Sequence, residues 1–290
     1  MKILITGTGT MIGNAISVHL LKKKLQLICT YNSTYPKNLK NKVKLIKLNL
    51  NNVKDIKNIT FDAIIHCAAV IPGYSKITGK KLYNTNVKSF RSILDSSKKI
   101  KKIVLLSTMS IYGIINKSKI SEKDFPNNPD YYGSSKYRME KDLKKFSEKN
   151  SKLKYLILRL PGVLGKNGNR NYLSKALIKI KKNKKVLVAS PNALFNNCIH
   201  TDTISKIIFD FITQRKKKLN NKVFNLASQR PIKIKNVINK ISRHFNHSNK
   251  IEYIKSEKKP FLVDISKIQT IYNSLPTTSK CVNKFINSNK

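Results

Sequence analysis

The sequence predicts an α/β fold: a doubly wound parallel sheet with a smaller C-terminal α/β region. Three observations predict it. Short apolar runs alternate with stretches of helical composition, the pattern that builds parallel strands with crossover helices. The first run, Lys2-Ile3-Leu4-Ile5-Thr6, passes at once into a glycine-rich turn. A later run, Ile103-Val104-Leu105-Leu106, ends in Ser107-Thr108 and leads through a loop holding Pro126 and Pro129 to Tyr132-Gly133-Ser134-Ser135-Lys136.

Taken in order, Gly7-Thr8-Gly9-Thr10-Met11-Ile12-Gly13 follows the first strand, and Ile12, Ile16, Leu20 and Leu21 then recur at helical spacing. Strand, glycine turn and helix together are the setting in which backbone can approach a pyrophosphate and a helix N-terminus can stabilise its charge. Gln26 to Tyr31 predicts the second strand. The end of that strand is where an acid would hold the ribose hydroxyls of NAD. Thr30-Tyr31-Asn32-Ser33 supplies none, and Lys37 and Lys40 follow, so the reading is NAD or NADP with NADP slightly favoured. Residues 43–48 form a third strand ending at Asn49-Leu50, and residues 63–69 a fourth ending in Cys67-Ala68-Ala69, small side chains that let a cofactor lie close. His66, inside that apolar run, reads as a packed residue. Residues 80–98 have a helical apolar face (Leu82, Val87, Phe90, Ile93, Leu94) with Asn86 within it.

The fifth strand is the one that ends at Ser107-Thr108. In an open α/β sheet, ligands sit beyond the carboxyl ends of strands, which places Thr108, Met109 and Ser110 at the ligand edge. Tyr132 and Lys136 are four apart and share one helix face. A phenol is a poor acid or base at neutral pH, but a neighbouring ammonium favours its phenolate. In a chain with 12 Tyr and abundant Lys, about two such pairs arise by chance. Two occur, and the small Gly-Ser-Ser insert and the preceding strand single out Tyr132/Lys136 over Tyr137/Lys141.

Residues 155–160 are a sixth strand, followed by Pro161-Gly162-Val163-Leu164-Gly165, a rigid turn at the same edge. Beyond it come a polar loop with Arg170 and Asn171, a helix over 172–180, short extended pieces at 186–188 and 195–200, and a helix to residue 211 capped by Thr201 or Asp202. A strand at 223–226 and a helix over 234–245 follow, and the tail from Lys280 is expected to be loose. Residues 1–165 thus form a Rossmann-like nucleotide-binding domain, with returning segments around 194–228, and 166–290 are mainly a substrate-binding region.

Composition narrows the class. At 290 residues the chain can bury a sizeable core. Its apolar runs are too short to cross a membrane, and Met1-Lys2 precedes too few apolar residues for a signal peptide; a cytoplasmic protein without membrane insertion is expected. The four cysteines and five histidines show no metal-ligand spacing, so no metal is expected. The formal net charge of +45 raises nucleic-acid binding. Only seven of the 59 basic residues are Arg, however, and the lysines are spread along the chain, often at helix ends that suit the macrodipole. A lysine-rich codon bias explains the charge, and no specific nucleic-acid partner is expected.

These motifs resemble those of the extended short-chain dehydrogenases/reductases, the NAD-dependent epimerase/dehydratase family, over roughly residues 2–270. The family's Thr-Gly-x-x-Gly-x-x-Gly falls on residues 6–13, except that the middle glycine is Gly9 and the family's own position is Thr10. Asp62 to Ala69 is similar to its Asp-x-x-x-His-x-Ala-Ala, and Asn86 to its helix asparagine. Asn49 stands where an aspartate meets the adenine, and His200-Thr201-Asp202 resembles the family's His-Val-Asp-Asp.

By this resemblance Thr108, Tyr132 and Lys136 are the catalytic residues. Gly7, Gly9, Thr10, Met11, Ile12, Gly13, Asn32, Asn49, Leu50, Cys67, Ala68, Ala69, Pro161 and Val163 join Tyr132 and Lys136 in holding the cofactor. Met109, Ser110, Arg170, Asn171 and Asn196 face a sugar or nucleotide-sugar substrate. Family dehydratases carry Asp-Glu directly after the catalytic Thr; Met109-Ser110 stands there, which argues against a 4,6-dehydratase. Asn196 replaces an arginine that meets the substrate's diphosphate, so that contact falls to Arg170 or Arg230, or the substrate is not a typical nucleotide sugar. The resemblance implies an epimerase or ketoreductase in surface-polysaccharide precursor synthesis, and a homodimer paired through helices 80–98 and 131–149. The alternative is a non-catalytic NAD(P)-binding sensor or scaffold of the same fold.

Overall fold

The structure, a computed structural model, describes residues 1–50, 52–53, 56, 59–73, 76–96, 100–246, 251–255 and 259–290. In chain order its strands and helices are β1 (Lys2–Thr6), α1 (Met11–Lys22), β2 (Gln26–Tyr31), β3 (Lys44–Lys47), β4 (Ala63–His66), α2 (Gly79–Asp95), β5 (Lys102–Thr108), β6 (Lys119–Ile120), α3 (Tyr131–Glu148), β7 (Lys154–Leu160) and β8 (Gly162–Leu164). Then follow α4 (Tyr172–Lys181), β9 (Val186–Ala189), β10 (Leu194–Phe195), β11 (Cys198–His200), α5 (Thr201–Ile212), β12 (Lys222–Asn225), β13 (Ile232–Lys233), α6 (Ile234–His244), β14 (Ile251–Ile254), β15 (Leu262–Val263), α7 (Ser266–Gln269) and α8 (Thr278–Asn287). Of the expected helix over 80–98, the part to Asp95 is helical, and Lys98 lies outside the described residues.

Two compact units divide the chain. The first comprises Met1–Ile114, Phe125–Arg159 and Ile204–Phe224; the second Ile115–Asp124, Leu160–Thr203 and Asn225–Lys290. A seven-stranded sheet of order β12-β7-β5-β4-β1-β2-β3 forms the centre of the first. Its pairings of β1 with β2 and β4, β2 with β3, and β4 with β5 are all parallel. These strands read as continuous apolar runs because helices cover both faces. On one face Phe90 and Ile93 of α2 and Met139 and Leu143 of α3 pack over Leu4, Ile64, Ile103 and Ile157. On the other lies α1, with the His19 ring edge-on to Phe209 of α5 at 6.1 Å.

The second unit is built of two-stranded pairings: β8 with β11, β6 with β15 and β9 with β14 run parallel, and β10 with β13 antiparallel. Two sequence expectations fail in it. The tail is not loose: Thr277 caps α8 by accepting the Lys280 amide, and Cys281, Val282, Phe285 and Ile286 are buried. Their i, i+1, i+4, i+5 spacing is an amphipathic stripe too short to stand out among polar neighbours. Nor does Thr201 or Asp202 stand before α5 as a cap. The helix starts at Thr201, and it is the His200 ring that accepts the Asp202 amide at 3.2 Å. Among the described residues no helix is long and apolar enough to cross a membrane.

Candidate active site

The glycine turn is fixed by three close approaches. Gly7 has φ +75°, and a Cβ there would stand 2.8 Å from the backbone of Ala68, so only glycine lets the turn press against the end of β4. At Gly13 a Cβ would meet the Gly7 carbonyl oxygen at 2.4 Å. The displaced middle glycine has its own cause. A Cβ on Gly9 would lie 2.1 Å from the carbonyl oxygen of Thr34, in the segment that follows β2. Thr10, at the family's glycine position, is the N-cap of α1: its hydroxyl donates to the Gly7 carbonyl (2.8 Å) and accepts from the Gly13 amide (3.2 Å). Thr8 ties the turn to β2, donating from backbone and hydroxyl to the Thr30 carbonyl. With no acidic side chain in its first turn, α1 presents its positive end, with half-buried Met11 and Ile12, to whatever lies on the turn.

Beside this turn, the Thr6 hydroxyl accepts the Ala68 amide (3.2 Å) and meets His66 Nδ1 (3.0 Å). His66 is fully buried against Phe90 at the end of β4, the packed role expected of it. Cys67, Ala68 and Ala69 are half-buried at the sheet edge. Asn86 closes this loop onto two helices. Its amide exchanges bonds with the Val70 backbone (2.8 and 3.0 Å) and donates to the Ser135 hydroxyl (3.1 Å), which in turn donates to the Tyr132 carbonyl (2.8 Å). Asn32 and Asn49 are exposed at the ends of β2 and β3, with Leu50 half-buried next to Asn49.

Thr108 ends β5 and caps the single turn Met109–Tyr112 by accepting the Ser110 amide. Ser110 is exposed, with its hydroxyl 3.2 Å from that of Thr108, whereas Met109 is 8% exposed and packs inward. A Cβ on Gly133 would stand 2.2 Å from the Ser110 carbonyl, so the Gly after Tyr132 is what lets α3 press on this turn. Asp130 caps α3 through the Gly133 amide (2.7 Å). Tyr132 is half-buried. Lys136 is buried, and its ammonium donates to the Leu106 carbonyl of β5 (2.9 Å). Burial pushes the Lys136 pKa down to about 8, against the charge-favouring pull of Cys67 and Glu140. The first unit therefore gathers the glycine turn, Cys67 to Ala69, Thr108, Tyr132 and Lys136 along the carboxyl ends of β1, β4 and β5.

The remaining site residues predicted from sequence belong to the second unit. Pro161 precedes β8, and Val163 is buried within it. Asn171 caps α4, accepting the Ser174 amide (2.9 Å) and donating to the Val163 carbonyl (2.6 Å). Arg170 is exposed. Asn196 is buried, and both ends of its amide are engaged by the backbone of Val263, each at 2.9 Å.

A sequence model of the NAD dependent epimerase/dehydratase family matches residues 3–227. The chain belongs to the NAD-dependent epimerase/dehydratase family. Among curated relatives, GDP-6-deoxy-D-talose 4-dehydrogenase of Aggregatibacter actinomycetemcomitans is 24% identical over 237 residues, covering 79% of this chain and 74% of the relative. UDP-glucose 4-epimerase of Thermotoga maritima, solved with UDP-glucose, superposes with a TM-score of 0.83 at 18% identity, covering 99% of this chain and 98% of that one. UDP-glucuronic acid 4-epimerase of Bacillus cereus, solved with UDP-glucuronic acid and NAD, gives 0.80 at 22% identity with the same coverage.

The residues of the first unit fit the family's coenzyme. Gly7 and Gly9 have room for backbone only, and the first turn of α1 carries no competing carboxylate. Sequence reasoning missed the Thr34 carbonyl over Gly9, the relay from Asn86 through Ser135, and the partners of Glu140. Only the last had a local signal: a scarce acid one helical turn beyond Lys136.

Proposed function

We propose that the chain is a nicotinamide-dependent epimerase or ketoreductase of nucleotide sugars, with Tyr132 as its acid/base. The observation that carries this reading is the buried Lys136 ammonium, held on β5 four residues along α3 from Tyr132. A positive charge in that position favours the Tyr132 phenolate. Thr108 offers its hydroxyl to the reacting sugar oxygen, while Tyr132 takes or returns that oxygen's proton. The glycine turn and the α1 N-terminus would hold the coenzyme's phosphates, and Lys136, with N–H groups beyond the one given to Leu106, its ribose. When bound, the coenzyme supplies hydride exchange with the sugar carbon. Holding that carbon and the coenzyme in register supplies much of the rate.

Family membership alone spans epimerases and dehydratases. A 4,6-elimination needs an acid and a base next to Thr108; Met109 is packed inward and Ser110 carries a hydroxyl, so the proposal excludes it. The names of the relatives, a 4-dehydrogenase and two 4-epimerases, support chemistry at one carbinol carbon. The absence of an acid after β2 supports NADP over NAD. For the second copy of the chain that the proposal includes, α2 and α3 are the supporting surface. They pack side by side, with Arg91 and Arg138 both on Asp142.

The test is to denature the purified protein, quantify released nucleotide, and assay UDP-glucose, UDP-glucuronic acid and GDP-linked 4-keto-6-deoxy sugars with NAD and NADPH. Retained coenzyme with epimerisation marks an epimerase; consumption of NADPH marks a reductase. Tyr132→Phe is expected to lower kcat by 10²-fold or more while coenzyme binding persists. Unchanged turnover in that variant would remove Tyr132 from the chemistry.

A further inference from the structure

One helical turn beyond Lys136 stands Glu140, fully buried in a chain with 14 acidic residues against 59 basic ones. Its carboxylate makes four bonds to two elements of the sheet. The Ser107 hydroxyl of β5 donates to Oε1 at 2.5 Å, and the Arg159 guanidinium of β7 donates to both oxygens: Nε at 3.1 and 3.3 Å, and its second terminal nitrogen to Oε2 at 2.8 Å. The other arm of Arg159 donates to the Tyr112 hydroxyl at 2.8 Å. Ser107 is the residue before Thr108, and Tyr112 closes the turn that Thr108 opens.

We propose that Glu140 is the positioning residue of this site, locking α3 to β5 and β7 so that Lys136 and Thr108 keep a fixed register. The argument is geometric. Thr108 is gripped from both sides in sequence, at Ser107 directly and at Tyr112 through Arg159. Lys136 is carried on the same helix, one turn before the carboxylate that does the gripping. A buried ion pair adds little net stability, because desolvation offsets attraction, and its best-attested use is to fix one arrangement among several. Four bonds on the carboxylate, and all three guanidinium nitrogens engaged, make the arrangement specific rather than merely tolerated.

The same carboxylate acts on Lys136 through charge. The groups facing that ammonium are His66 and Cys67 at the end of β4 and Glu140 on its own helix; Arg159 stands behind Glu140, and Tyr132 precedes it by one turn. Of these, Glu140 is the anion. Without it, burial is opposed by less, and Lys136 loses its proton at a lower pH.

The proposal rests on Lys136 serving the coenzyme, and the probe is whichever of NADH and NADPH the wild-type chain binds more tightly. Its affinity for the full-length protein, followed by fluorescence from pH 6 to 10, is expected to fall as Lys136 deprotonates near pH 8. In Glu140→Gln the midpoint of that fall is expected to move down by about half a unit or more. Should Glu140→Gln leave Arg159 so poorly matched that the chain does not fold, Glu140→Gln/Arg159→Met replaces the pair without stranding a charge. It is expected to shift the midpoint in the same direction. A role confined to stability lowers the melting temperature but leaves the midpoint in place, and folded variants with an unmoved midpoint would overturn the assignment. A wild-type chain that binds neither NADH nor NADPH would overturn the coenzyme reading instead.

Discussion

The two units spend their polar side chains differently. In the first, the Thr108 hydroxyl bonds to Ser110 within its own turn, and the Lys136 ammonium gives one bond to the Leu106 carbonyl, an arrangement that holds both groups at the sheet edge. In the second, Asn171 and Asn196 have both ends of their amides taken by the chain itself, at the Ser174 amide and Val163 carbonyl and at the Val263 backbone. An asparagine in a turn competes for backbone before it meets any ligand. The difference teaches that a polar residue at a family substrate position is a candidate only while its bonds are unspent.

The comparison breaks first at Lys136. Lys136→Met is expected to cost 10²-fold or more in turnover and at the same time to stabilise the fold by up to about 3 kcal/mol at neutral pH. The sign follows from its depressed pKa. Between about pH 8 and the ordinary lysine value, the unfolded chain binds more protons than the folded one, so the wild-type deficit shrinks as pH rises through that window. Urea unfolding at pH 7 and pH 10 measures both ends; a destabilised variant at pH 7 would mean that the buried charge is not a burden.

Next in size comes Asn196→Ala. It strands the Val263 amide and carbonyl and is expected to cost on the order of 2 kcal/mol or more, with KM for any accepted sugar nucleotide within about twofold of wild type. A tenfold rise in KM without loss of stability would return Asn196 to the substrate and erase the contrast. Smallest is Thr10→Ala, which removes the α1 cap at a cost of about 1 kcal/mol and, because the cap hydroxyl is turned into the loop, leaves NADH affinity nearly unchanged.

Much of the first unit was legible in the sequence because its signals are local. Continuous apolar runs mark strands covered on both faces, and the Gly7 and Gly13 positions follow from backbone conformation and close approach. Gly9 was legible as part of a turn but not in its purpose, since the Thr34 carbonyl that requires it comes from beyond β2. The second unit was less legible. Its strands of two to four residues are too short for a period to show, and α8 carries four buried apolar residues among polar neighbours. The partners of Asn196 and Glu140 lie 67 and 19 residues away, and no propensity or spacing rule reaches across such gaps.

The Arg159 fork also bears on which substitutions a lysine-drifting sequence can absorb. Seven of the 59 basic residues are Arg. Arg159 needs three nitrogens aimed at two residues, and Arg91 grips Asp142 with two of its own. The Arg215 guanidinium lies over the Phe209 ring at 4.7 Å. A single ammonium reproduces neither fork, although it can sit over a ring, as Lys23 does over the same Phe209 at 5.8 Å. Arg91 and Arg159 therefore mark positions in this lysine-rich chain where the geometry asks for more than a positive charge.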